Sequence, residues 1–92
     1  MTPDVARRLL GLVGLGARGR NAVVGVDQVR AAAKKGELAL ALVACDAATN
    51  STAKVLPLLA ARRVRVIEGL TAEQLGGAVG RAQTAAVGIV DR

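Results

Sequence analysis

The segment LALALVAC, residues 38 to 45, is an unbroken apolar run bounded by Glu37 and Asp46. Its length is that of a β-strand, and no polar residue alternates with the apolar ones. A strand with one face in water would alternate, so this one is expected to be covered on both faces. The run therefore predicts a central strand in a sheet that carries helices on both sides.

The segments on either side alternate between helix and strand signals. Thr2 and Pro3 begin a first helix, with Val5, Leu9, Leu12 and Val13 as its buried stripe and Gly14 and Gly16 as its expected end. Further helices are predicted at 25–35, 53–63 and from Thr71 to Gly80, and further strands at 22–24, 64–68 and 84–90. Short connections and this alternation predict an α/β three-layer sandwich, with helices on both faces of a small, largely parallel sheet.

Two helix starts carry distinct local signals. Thr71 and Gln74 have the spacing of a capping box, which predicts the start of the fourth helix. Pro57 lies inside the third helix, where it removes a backbone donor and crowds the preceding turn. We therefore predict that this helix is kinked or that it begins near residue 53.

The composition indicates one small basic domain over residues 1–92. Hydrophobic residues make up 52% of the chain and none is aromatic, so the core must be aliphatic. Thirteen Lys and Arg against seven Asp and Glu give a net charge of +6. A compact domain of this charge typically meets a polyanion such as nucleic acid, although some basic domains are merely soluble.

The start of the chain also resembles a secretory signal, with Arg7 and Arg8 before a short apolar stretch. Asp4 and the helix signals favour a folded helix instead. No apolar run approaches the roughly 20 residues that span a bilayer, so no membrane partner is expected. The single Cys45 cannot form an internal disulfide, which fits a cytoplasmic protein.

The sequence offers little for catalysis, for a metal or for a cofactor. Without histidine there is no Ser-His or Cys-His pair. Cys45 ends an apolar strand and is expected to be a core residue, although a reactive thiol is the alternative. Asp27, Asp46 and Asp91 come from different strand ends, and no pattern pairs them. GLGARG fits G-x-G-x-x-G, but a helix precedes it and a strand follows, the reverse of a dinucleotide site.

The segment GVDQVRAAAKKG, residues 25 to 36, suggests a binding function. With Gly25 at the helix start, free backbone N–H groups and the positive dipole end would face Arg18 and Arg20, which favours phosphate. Val26, Val29 and Ala33 form the buried face, while Asp27 and Gln28 point outward with Lys34 and Lys35 further along the same side. Asp27 and Gln28 suit the edges of bases, or they merely complement the helix dipole.

Three segments together carry a family resemblance: LLGLVGLGARGRNAVVGVDQVRAAAKKGELALALVACDAATNST, IEGLTAEQLGGAVG and TAAVGIV. In them the chain resembles the kink-turn RNA-binding ribosomal-protein superfamily (the archaeal large-subunit "seven-Ae" and eukaryotic "thirty-e" type), and within it the bacterial YlxQ-like branch. The resemblance implies a sandwich around a four-stranded mixed sheet, so that one strand runs against the direction predicted from the pattern alone. It also implies binding of structured RNA, ribosomal or kink-turn containing, with other ribosome-associated proteins as further partners.

The family's RNA-reading helix start is commonly Gly-Thr-Asn-Glu, followed three residues later by Lys. Gly25 matches the glycine, Asp27 and Gln28 exchange acid and amide, and Ala31 replaces the lysine. Arg30 and Lys34 are near enough in sequence to supply that charge. The family's second contact is a loop matched here by Glu68, Gly69, Leu70 and Thr71, in which Leu70 would meet flipped-out bases.

Two classes of function follow. The first is a structured-RNA-binding module associated with the ribosome or with translation. The second is a protein-interaction or assembly module of the same fold that has lost specific RNA reading, as Ala31 suggests. The lack of aromatic residues argues against a base-stacking single-strand platform.

Overall fold

The computed structural model describes residues 2–90 and shows four helices and four strands in alternation. They are α1 (Pro3–Arg18), β1 (Ala22–Val24), α2 (Val26–Lys34), β2 (Leu38–Val43), α3 (Thr49–Ala61), β3 (Arg65–Glu68), α4 (Ala72–Ala78) and β4 (Ala86–Val90). No helix within this part of the chain is long and apolar enough to cross a membrane.

The sheet is mixed, with strand order β1-β4-β2-β3. β2 and β3 are parallel, whereas β4 runs antiparallel to both of its neighbours, β1 and β2. The mixed sheet implied by the family resemblance is confirmed, and the largely parallel sheet predicted from alternation is wrong. Interior strands are apolar in either direction, so the pattern of burial carries no information about the direction of β4.

The apolar run at 38–45 forms the predicted interior strand, β2. Ala41, Leu42 and Val43 are at most 2% exposed. Alternate residues of the run join two different cores, with Ala41 and Val43 facing α2 and α3, and Leu42 facing α1 and α4. The strand ends at Val43, and Cys45 is exposed in the turn that follows. The prediction that Cys45 is a core residue is therefore wrong.

The first helix extends further than its glycines predicted. Gly14 and Gly16 lie inside α1, which ends at Arg18. A Cβ at Gly14 would lie 3.3 Å from the carbonyl oxygen of Ala78, and one at Gly16 would lie 3.4 Å from Ile89 Cδ1. Close packing against α4 therefore accounts for Gly14, whereas a Cβ at Gly16 would make ordinary van der Waals contact with the sheet. Val5 and Leu12, both expected on the buried stripe, are 46% and 63% exposed, so the expectation is wrong for these two residues.

The third helix begins at Thr49, four residues before its predicted start, and is continuous through Pro57. Pro57 is exposed, so the carbonyl of Ala53, which loses its helical donor, lies on the solvent side of the helix. The predicted start near residue 53 is therefore wrong, while the predicted kink stays a prediction. The capping box of α4 is confirmed, because both of its hydrogen bonds are present.

Candidate functional site

One edge of the sheet gathers the ends of three strands. β1, β2 and β3 point the same way, so α2, α3 and α4 all begin at the edge where these strands end. Gly25 follows β1 and Glu68 ends β3, which places both predicted contact regions on this edge. They lie at opposite sides of the sheet, separated by three strand spacings or about 14 Å.

Gly25 makes the turn from β1 into α2. Its φ of 96° and ψ of 154° suit glycine, and its N–H donates to the carbonyl of Ala86 at 2.9 Å. No side chain caps the helix that follows. The first N–H groups of α2, from Val26 to Gln28, therefore face outward with the positive end of the helix dipole.

This open helix end lines a cavity of about 410 Å³. Three of its lining residues come from other segments: Ser51 and Lys54 from α3, and Arg81 from the loop after α4. Lys54 and Arg81 are both exposed. The first turn of α3 has no side-chain cap either, so two helix starts and two cations surround the same space.

Sequence reasoning missed Ser51, Lys54 and Arg81. A signal exists for Ser51 and Lys54, because residues that begin a helix after a parallel strand gather at one sheet edge. Arg81 carries no comparable local signal. Its N–H donates to the carbonyl of Gly76 at 2.8 Å, in a close turn where a Cβ on Gly76 would clash with the backbone of Gln83.

Asp27 and Gln28 are exposed, as predicted, while Val29 and Ala33 are buried. Gln28 has an internal partner, because its Oε1 accepts a hydrogen bond from the Val24 N–H at 3.3 Å. A backbone N–H can only donate, so the carboxamide oxygen faces the strand and the two Nε2 protons point elsewhere. Asp27 thus offers acceptors and Gln28 offers donors at the same helix end.

The middle of α2 shows which cation lies near Ala31. Ala31 is exposed and lines a small cavity of about 160 Å³ together with Gln28 and Lys35. Lys35, rather than Arg30 or Lys34, is thus the cation that shares a cavity with the position of the missing lysine. Arg30 is half-buried, and its Nε is buried without a hydrogen-bond partner.

Arg18 and Arg20 do not lie beside the start of α2. At one end of β1 the Val90 N–H donates to the carbonyl of Asn21, and at the other end the Gly25 N–H donates to the carbonyl of Ala86. Val90 and Ala86 are four residues apart in β4, so the two ends of β1 are about 13 Å apart. Arg20 is therefore at the opposite edge of the sheet. Arg18 ends α1, and its Nε donates to the carbonyl of Gly14 at 3.3 Å. The predicted placement of these two arginines beside α2 is wrong, because β1 separates them from it.

The loop after β3 differs from its prediction at one residue. Glu68 and Gly69 are exposed, and Gly69 has a φ of 125°. Leu70 is only 1% exposed and packs in the core beneath α1 and α4. Its side chain has no surface to offer a base, so the structure contradicts the predicted base contact of Leu70.

The acidic residues and the cysteine form no metal centre in the described part of the chain, where no three His, Cys, Asp or Glu side chains could share an ion. Asp46 instead has a structural contact, since its Oδ1 accepts from the Ala72 N–H at 2.8 Å. Asp91 lies outside the described residues.

A sequence profile of the ribosomal protein L7Ae/L30e/S12e/Gadd45 family matches residues 8–92. The chain belongs to this family. No curated protein matches it.

Many solved structures are similar to it, including one from Bacillus halodurans C and one from Giardia lamblia. A protein of unknown function from Bacillus halodurans C is 29% identical, with a TM-score of 0.82 over 89% of this chain and 83% of that one. The Giardia lamblia 15.5kD RNA binding protein is 21% identical, with a TM-score of 0.84 over 100% of this chain and 78% of that one.

Proposed function

We propose that this protein binds structured RNA containing a kink-turn-like bend, in a ribosome- or translation-associated role in the cytoplasm. The proposal rests on the cavity at the start of α2, which we call the groove. There the uncapped N–H groups of α2 lie opposite Lys54 and Arg81, and the same helix end carries an acceptor, Asp27, and a donor, Gln28. Family membership and the similar fold of an RNA-binding protein support it.

The groove suits a phosphate beside an exposed base. Backbone N–H groups and the dipole of α2 favour an anion, and Lys54 and Arg81 add two positive charges from separate segments. The Asp27 carboxylate accepts from base amino or imino groups, and Gln28 Nε2 donates to base acceptors. Such edges are accessible where RNA pairs are opened or sheared, rather than within a regular A-form stem.

The remaining contacts extend the binding surface beyond the groove. Glu68 and the exposed backbone of Gly69 form the second contact region on the same sheet edge, without the side chain of Leu70. Lys34 and Lys35 lie about 12 Å along α2, where they would neutralise phosphates of a flanking stem. Arg18 and Arg20 lie away from the groove, near the opposite edge of the sheet, where they would contact more distant phosphates.

The alternative is a protein-interaction or assembly module that has lost specific RNA reading. Ala31 favours it, since an alanine stands where the family commonly has lysine. In either case the proposed role is binding and not catalysis, and it requires no cofactor. The YlxQ-like branch is proposed on the sequence resemblance alone.

A binding titration with a kink-turn RNA and a straight duplex of equal length tests the proposal. We expect tighter binding to the kinked RNA, and an affinity that falls with salt. About three to five phosphate contacts give a log–log slope of −2 to −4, because each neutralised phosphate releases condensed counterions. Equal and weak binding to both RNAs would instead support the interaction module.

A further inference from the structure

The outward face of α1 is apolar to an unusual degree. Val5, Leu12 and Leu15 are 46%, 63% and 62% exposed, and they are the large hydrophobic residues exposed within residues 2–90. Leu12 and Leu15 line an open cavity of about 580 Å³ with Arg8, Gly11 and Arg18. Apolar surface concentrated on one helix is a mark of an interaction site.

Two of the four charges on this helix, Asp4 and Arg18, form a pair that is complementary to itself under a two-fold rotation. Asp4, Gly11 and Arg18 are all exposed and are spaced by seven residues, so they lie along one line of the helix. The acid and the base are thus equidistant from Gly11. Arg8 and Leu15, also seven residues apart, form a parallel line beside them.

We propose that the occupant of this face is a second copy of the same chain, with the two α1 helices antiparallel and crossing at Gly11. The two-fold axis then places Asp4 of each copy beside Arg18 of the other, and Leu15 of each against the aliphatic stem of Arg8 of the other. Gly11 faces open space, since a Cβ there would meet no atom within 4 Å, and its lack of a side chain permits the close approach of the second helix.

The dimer is weak and reversible. α1 has 16 residues and is about 24 Å long, so its face is much smaller than the roughly 800 Å² per partner of a standard stable interface. We expect a dissociation constant between about 1 µM and 1 mM. The groove at the start of α2 belongs to the opposite layer, so each copy keeps it open, and the dimer would present two such grooves.

Sedimentation equilibrium of the whole protein in about 0.15 M salt, where charges are screened beyond about 8 Å, tests this interface. We expect a monomer–dimer equilibrium that Leu15→Glu weakens at least tenfold. D4R and R18D should each weaken it about tenfold, because each breaks two ion pairs and creates two like-charge contacts. The double variant D4R/R18D restores both pairs and should return to within about threefold of the unsubstituted protein.

Two further variants separate the interface from the fold. Gly11→Gln adds bulk at the crossing point without a clash inside the monomer, and it should weaken the dimer while the thermal unfolding midpoint is kept. Glu73→Arg makes the same charge change as D4R in the first turn of α4, and it should leave the dimer unchanged.

A protein that is monomeric up to about 1 mM overturns the proposal. So does a dimer that is insensitive to Leu15→Glu, or a double variant that stays as weak as the single ones. Binding of a monomeric protein to anionic lipid vesicles through Leu15 would assign the face to a lipid surface and would likewise overturn it.

Discussion

α2 and α4 begin at the same sheet edge, but their first turns are built differently. At α4, Thr71 Oγ1 accepts from the Gln74 N–H at 3.1 Å, Gln74 Oε1 accepts from the Thr71 N–H at 2.9 Å, and Asp46 accepts from the Ala72 N–H. At α2 no side chain caps the first turn. The helix start of α4 is closed, and that of α2 is open to a ligand.

A glutamine occupies the third position of both helices, yet its partner differs. The Gly25 N–H is already bonded to Ala86 in the sheet, so Gln28 reaches the preceding N–H, that of Val24. The Thr71 N–H is not used by the sheet and closes onto Gln74. β4 thus decides the partner of Gln28, whereas the start of α2 stays open because Gly25 has no side chain that could cap it.

Charge reversal at the open helix start should have the largest effect. In Lys54→Glu/Arg81→Glu, both cations of the groove become anions facing the bound phosphate, so we expect affinity for kinked RNA to fall at least about 100-fold. Arg62→Glu/Arg65→Glu is the matched control, because it makes the same net charge change at the other sheet edge. The loss of affinity in this control should be at least tenfold smaller in the same titration. Equal losses in the two variants would show that the groove is not the RNA-binding site.

Substitution of the residue before each helix should separate stability from binding. Gly25→Ala forces a side chain into a φ of 96° and should lower the free energy of unfolding by about 1–3 kcal/mol, together with RNA affinity. Thr71→Ala removes a cap beside the second contact region, so it should cost about 1 kcal/mol of stability with a smaller loss of RNA affinity than Gly25→Ala. Urea unfolding and RNA titration of both variants give the comparison, and an equal or larger loss of RNA affinity in Thr71→Ala would contradict it.

The two glutamines provide the sharpest matched pair. Gln28→Ala should cost about 1 kcal/mol of binding to kinked RNA and almost nothing on a straight duplex, because one base-edge contact is lost. Gln74→Ala should lower stability by a similar amount and leave both RNA affinities unchanged. If Gln28→Ala leaves selectivity unchanged, Gln28 serves only to hold Val24.

The smallest effect is expected from the far end of α2. Lys34→Ala/Lys35→Ala should weaken binding to kinked RNA and to duplex alike, by about twofold to fourfold, since point charges at phosphates carry no sequence information. The salt slope should become shallower by about 1 to 2. A loss of affinity for kinked RNA but not for duplex would show instead that these lysines contribute to selective recognition.

Features of the two helix starts that lie within one helix could be predicted from the sequence. The residues that separate segments bring together at the groove could not. The start of α2 at Gly25, the outward Asp27 and Gln28 and the capping box at Thr71 follow from spacing within one helix. The convergence of Lys54 and Arg81 on Gly25 depends on strand order. The separation of Arg20 from Gly25 is local, because the predicted strand β1 lies between them. Leu70 was misplaced because an apolar residue in a loop has the same local signature whether it is buried or exposed.

The sequence by itself determined the order of helices and strands, the interior strand at 38–43 and the aliphatic core, because apolar periodicity and capping act within a few residues. The tertiary structure decided the direction of β4, the packing of Gly14, and the burial of Leu70. It also decided that Gln28 bonds to the Val24 N–H, because the Gly25 N–H is held by Ala86 in the sheet. These features depend on partners far apart in the chain, whose pairing leaves no periodic trace in either segment.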